Sequence, residues 1–299
     1  MRTAQMRVSI LSTISLFIFC VFVGGTVRGQ QSCSVTLAPI PTAAQIFSIQ
    51  QERTLGDIEA EWVETDYHVA QNEKFAAHLN AIAGRVLSQF PREQARVRVI
   101  LIDFPAAEAF STGPERIYIS RKMVALLRSD DELAGLLGHE LGHIVTHQNA
   151  VIVSQLFREI LGVSAVGDRK DISEKLRRML DSVDRDKEML RKAANVIEQR
   201  EEINQKGADR VALCAAAASG FSPRAYMELL DRTAETNGNR GSVLDDFFGT
   251  TTSNRRRLRE MKKALKQLPQ PRREIVPSAS AEFRTWQAAV LSDPDLARR

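Results

Sequence analysis

Residues 131–147 read Asp131-Glu132-Leu133-Ala134-Gly135-Leu136-Leu137-Gly138-His139-Glu140-Leu141-Gly142-His143-Ile144-Val145-Thr146-His147. Ser129, followed by Asp130, Asp131 and Glu132, supplies a helix start with acidic residues where the positive end of the macrodipole favours them. The pattern predicts one helix over about 131–150. At 3.6 residues per turn, His139 and His143 point to the same side, so both imidazoles reach one metal ion. Glu140 projects beside that face, placed to hold a water, accept its proton and pass it to the leaving nitrogen of a peptide. Leu133, Leu136, Leu137, Ile144 and Val145 bury one side of the helix. A buried, unpaired imidazole is costly, so two ordinary histidines are the poorer reading. His147 falls one turn further along the expected helix. A rise of 1.5 Å per residue sets positions i and i+8 ~12 Å apart, too far to share one ion, so His147 is expected to pack or to support the site.

Upstream, the period changes. Residues 55–90 read as helical, with Ile82, Val86 and Leu87 as a stripe that stops before Pro91. Arg96-Val97-Arg98-Val99-Ile100-Leu101-Ile102 then alternates like a half-buried strand, and Ala109–Ser111 and Arg116–Ser120 read as two more strands joined by Thr112-Gly113-Pro114-Glu115. A small sheet therefore precedes the histidine helix. Downstream, 151–200 reads as a helical insertion with Ile172, Leu176, Leu180 and Val183 as its packing stripe. Further helices are expected at 200–219, stopped by Gly220, at 223–236 and at 253–268. The basic cluster Arg255, Arg256, Arg257, Arg259, Lys262, Lys263 and Lys266 shares its helix with Leu258, Met261, Leu265 and Leu268 and has no interleaved aromatics. It reads as a solvated face. Residues 269–299 form a proline-punctuated tail with one short helix near 281–291.

The chain has 299 residues, 43% hydrophobic, 26% charged and 6% aromatic, which excludes a collagen, a disordered tail and a disulfide-rich mini-protein. Residues 1–29 carry Arg2, Arg7 and Arg28 around the apolar run VSILSTISLFIFCVFVGG, with small residues Val27 and Gly29 ahead of a cleavage point. This is the pattern of a secretory signal, and an uncleaved N-terminal membrane anchor is the rival reading. Either places the body of the protein outside the cytosol, periplasmic or secreted, with membrane association only through this segment. Cleavage would remove three arginines and leave a nearly neutral chain, so no nucleic-acid partner is expected. Residues 30–54 read as a linker and 55–268 as the domain carrying the chemistry. Of the three cysteines, Cys20 lies in the signal, Cys33 in the linker and Cys214 in an alanine-rich helix; their placement does not favour a bridge.

The 131–147 run, together with Gly207-Ala208-Asp209-Arg210, Gly220-Phe221-Ser222-Pro223-Arg224-Ala225, the strand Val97–Ile102, Glu108-Ala109-Phe110 and Arg116-Ile117-Tyr118-Ile119-Ser120, resembles metallopeptidase family 48 over about residues 60–265. That family includes prenyl-protein endopeptidases, membrane proteases and periplasmic outer-membrane quality-control proteases. The resemblance implies an α+β, predominantly helical zincin-like fold and a catalytic Zn2+ held by His139, His143 and a glutamate four residues before an aspartate. Asp209 matches that aspartate, whose implied role is to orient a ligating histidine. The ligand position is Gln205, a neutral and weaker donor than a carboxylate. Glu201 and Glu202, one turn earlier, are the alternative third ligands. The family's Ser-Arg pair ahead of the ligand is replaced by Glu201-Glu202, and its Thr-His-Pro near 251 by Thr250-Thr251-Thr252-Ser253. The resemblance therefore implies an exported zinc-dependent endopeptidase acting on protein or peptide substrates of the envelope, with Glu140 as general base. The alternative is a catalytically impaired member serving as a binding or chaperone-like module.

Overall fold

The computed structural model describes residues 45–90, 96–236, 254–268 and 279–297. The expected N-terminal helix is two helices, α1 (Ile49–Asp66) and α2 (Glu73–Leu87). Ser48 and Gln51 cap α1 reciprocally, and Asn72 accepts from the backbone of Lys74 to start α2. Between them Tyr67 is extended, Val69 pairs with Ile102, and Asp103 N–H donates to the His68 carbonyl at 2.9 Å. Tyr-His-Val is a poor helical sequence, and the strand next to it offers its backbone groups partners.

The sheet is small and mixed. Strands β1 (Arg98–Ile102), β2 (Ala109–Thr112) and β3 (Arg116–Ser120) lie in the order β1-β3-β2, with β1 parallel and β2 antiparallel to β3. Val99, Leu101, Ile117 and Ile119 face the main core, whereas Ile102, Phe110 and Tyr118 join α1 and Phe104 in a separate aromatic cluster. Alternate residues of each strand thus serve two sides, as the period of two requires.

After α3 (Arg121–Leu126) comes the central helix α4 (Asp130–Val145), capped by Ser129. It runs through the main core and packs most extensively on α7 (Lys187–Ala218). Small residues set that approach. A Cβ at Gly142 would lie 2.5 Å from Ala208 Cα, one at Gly138 3.1 Å from Ala212 Cα, and one at Gly135 2.3 Å from Tyr226 Cβ on α8 (Pro223–Thr236). The three glycines bring α4 backbone to backbone with α7 and side-on to α8.

The expected 131–150 helix ends early. His147 adopts φ +50 and ψ 32, turning the chain into α5 (Gln148–Leu161). A non-glycine residue in the left-handed region is uncommon, and here the half-buried His147 side chain meets Glu52 of α1, as described below. Helix α6 (Arg169–Arg185) presents Ile172, Leu176, Met179 and Val183 to α1, α5 and the first half of α7, and Leu180 packs at the edge of that cluster. The expected helix boundary at residue 200 is absent, because α7 runs unbroken for 32 residues. Helices α9 (Asn254–Gln267) and α10 (Ala281–Ser292) follow, then a short 3₁₀ turn at Asp295–Ala297. The segment expected to be a tail adds Phe283, Trp286 and Val290 to the main core, and Gln287 donates to the Val124 and Leu127 carbonyls. Cys214 is disulfide-bonded, contrary to the sequence expectation; Cys20 and Cys33 lie outside the described residues. Among the described residues, no helix is long and apolar enough to cross a membrane.

Candidate metal centre

One turn of α4 brings the Nε2 atoms of His139 and His143 to 3.0 Å from each other, with their rings edge-on at 82°. One ligand atom from each of His139, Glu140 and His143 lies within 4.8 Å of the others. His139 and Glu140 are only 4% and 5% exposed. Burial pushes both imidazole pKa values down, for His139 against the pull of Asp209 and for His143 well below the usual value with His139 and Arg257 adding to the effect. Both rings are therefore neutral near pH 7, the form in which imidazole binds a metal. Burial also pushes the Glu140 carboxyl up to about 8, with Glu108 adding to the rise and Arg257 opposing it. A cation between the rings would favour its ionised form.

Behind His139 stands a second layer. Its Nδ1 lies 3.0 Å from Asp209 Oδ1. A proton carried on Nδ1, beside that carboxylate, leaves the Nε2 lone pair for the metal. Asp209 is itself gripped by Arg257, whose Nε donates to Oδ2 at 2.9 Å and whose terminal nitrogen donates to Oδ1 at 2.6 Å. Burial pushes the Asp209 carboxyl up, but the guanidinium and the His139 hydrogen bond overcome it and hold the group well below the usual carboxylate range. The Tyr226 hydroxyl closes the network, 3.4 Å from Asp209 Oδ1 and 3.3 Å from Arg257, with its ring 5.7 Å from that of His139. Behind His143 the neighbour is neutral: the Gln148 amide, at the start of α5, stands close enough to favour the protonated ring.

Gln205 lies one turn before Asp209 on α7. It is buried at 5% exposure, its side chain interacts with His139, and its carbonyl oxygen has no hydrogen-bond partner. A buried carbonyl left without a donor is costly, and a metal ion between it and the two imidazoles would satisfy it. Two neutral imidazoles and an oxygen beside an acidic side chain form a donor set that suits zinc. Glu201 and Glu202 lie on α7, but their side chains, like residues 250–253, are outside the described residues.

Two sequence expectations need correction. His147 is not on the metal helix, and its Nδ1 lies 2.7 Å from Glu52 Oε2 on α1. Arg257 does not belong to a solvated face: it is 5% exposed and paired with Asp209, whereas Arg256, Arg259, Lys262, Lys263 and Lys266 of the same helix are exposed. A signal for Arg257 was present, because it stands one turn before Met261, on the apolar side of α9. A charge inside an apolar stripe needs a buried partner. Tyr226 and Gln148 carried no comparable signal; only the packing of α8 and the start of α5 brings them to the site.

The sequence profile of the family described as Peptidase family M48 matches residues 70–265. No curated protein matches the chain.

Proposed function

The chain belongs to peptidase family M48, and from that premise we propose that it is an exported zinc-dependent endopeptidase that hydrolyses peptide bonds of protein substrates in the cell envelope. The observation that carries the reading is the convergence of the His139 and His143 Nε2 atoms at 3.0 Å beside Glu140 and the unpartnered Gln205 carbonyl. His139, His143 and Gln205 would hold the ion, with Glu201 or Glu202 as alternatives to Gln205. When bound, zinc supplies Lewis-acid polarisation of water and of the scissile carbonyl. Glu140 takes the proton of the attacking water on its carboxylate and returns it to the departing nitrogen. Asp209, kept ionised by Arg257, fixes the His139 ring. Export is supported by the basic and apolar pattern of residues 1–29 and by the disulfide at Cys214, a bond that oxidising compartments sustain.

Gln205 favours a second reading, a metal-poor member acting as a binding or chaperone-like module, because a neutral carbonyl holds zinc less firmly than a carboxylate. Zinc per chain, measured by mass-spectrometric metal analysis after dialysis against a weak chelator, separates the two. The peptidase reading expects near one zinc per chain and casein cleavage that falls by about 10²–10⁴-fold in Glu140→Gln. A metal-free, inactive wild type together with a zinc-loaded, active Gln205→Glu would establish the second reading. Full activity in Glu140→Gln would remove the assigned base.

A further inference from the structure

Between α7 and α9 lies a cavity of about 180 Å³ that shares Asp209 and Arg257 with the metal centre, although none of His139, Glu140 and His143 lines it. Its other charged walls are Lys206 and Arg210 from α7, and Arg256, Glu260 and Lys263 from α9. Among the described residues that line it, five cations therefore face two carboxylates. Asp209 and Arg257 cancel each other through their two-pronged pair. Glu260 is shared by Lys263 at 2.8 Å and Lys206 at 3.8 Å, so one carboxylate is asked to balance two lysines. Arg210 makes no hydrogen bond or ion pair among the described residues.

Cations crowded around one concavity repel each other, and apolar walls such as Leu213 and Met261 weaken the screening that would relieve them. An anion removes that repulsion and gives Arg210 and Lys263 charge-assisted hydrogen bonds. The cavity is smaller than the ~300 Å³ at which drug-sized ligand pockets begin. It suits a single small group.

We propose that the α7–α9 cavity is a binding site for a phosphoryl group, gripped by Arg210 and Lys263 above the Asp209–Arg257 pair and distinct from the peptidase site. The Glu260 carboxylate is the competitor already seated among the same cations. That arrangement predicts opposite effects from substitutions at the exposed Arg210 and the partly exposed Glu260.

The test is calorimetric titration of inorganic phosphate into the full chain at low ionic strength, with and without a chelator. One phosphate per chain should bind in both conditions. Arg210→Ala should weaken it by about tenfold or more, the loss of a charged hydrogen bond. Glu260→Gln should tighten it, and Lys262→Ala, exposed on the same helix but outside the cavity, should leave it unchanged. Absence of binding overturns the proposal, as does binding that disappears with chelator or falls equally in Lys262→Ala. Phosphatidylglycerol vesicles distinguish the source of the group: vesicle binding displaced by free phosphate extends the site to lipid headgroups. Vesicle binding by a chain that ignores free phosphate overturns the cavity as its seat.

Discussion

Asp209 and Glu59 are both carboxylates withdrawn from water, at 3% and 6% exposure, yet their surroundings give them opposite charge states. On the α7–α9 side, the Arg257 guanidinium outweighs burial and keeps Asp209 ionised. On the α1–α5 side, burial pushes the Glu59 carboxyl up to about 8. Its neighbours are the Asn149 amide, which donates at 2.6 Å, and Glu52, whose charge adds to the rise. Burial alone makes a carboxyl hold its proton, and only a buried countercharge reverses that. The first region thereby supplies a permanent anion behind His139. The second supplies a proton store next to the turn at His147.

Arg257→Ala would break the comparison by making Asp209 resemble Glu59. Removing one partner of a buried ion pair costs about 3–5 kcal/mol. Urea unfolding should show that loss, with part of it restored in the double variant Arg257→Ala/Asp209→Asn; an unchanged midpoint in the single variant would show that the ion pair does not separate the two regions. Glu59→Gln sharpens the comparison from the other side. The folded-state pKa of about 8 lies above the ordinary 4.5, so between these values the folded protein keeps a proton that the unfolded chain has released. Stability from this group is therefore complete below pH 4.5 and declines as pH rises towards 8, by up to about 1.4 kcal/mol per pH unit. Unfolding measured across this window should have a flatter slope in Glu59→Gln, and an unaltered slope would remove the proton from Glu59. A smaller effect separates two glycines. Gly142→Ala should cost about 1–3 kcal/mol from overpacking against Ala208, despite a helix-propensity gain of up to about 1 kcal/mol. At Gly207, where an added Cβ meets nothing within 4 Å, the same change should be neutral or stabilising. Thermal melts should show a lowered midpoint in Gly142→Ala and no lowering in Gly207→Ala if the α4–α7 contact is as close as the backbone distances indicate.

The two regions also differ in how far they could be read in advance. His139, Glu140 and His143 lie within a single turn or so, and local helical spacing alone brings them together. The three strands were legible for the same reason, because their alternation is local. Asp209 was reached through the family resemblance, and its partner Arg257 lies 48 residues further on, where a run of basic residues hid the one that turns inward. The left-handed turn at His147 was illegible. The side chain it meets is Glu52, 95 residues earlier on α1, and neither flanking residue, Thr146 or Gln148, is a glycine or asparagine. The break between α1 and α2 likewise depends on pairing with Ile102 across a tertiary contact.

The unbroken course of α7 has a consequence for anyone who would cut the molecule into parts. At 1.5 Å per residue its 32 residues span roughly 48 Å. Ala193 and Val196 belong to the cluster with α5 and α6, whereas Ala212, Leu213, Ala215 and Ala216 belong to the main core. A splice at residue 200 that treats 151–200 as a detachable module would sever this shared beam five residues before Gln205. A minimal version of the protein should instead be trimmed at a turn, keeping the whole of α7 as the common spine.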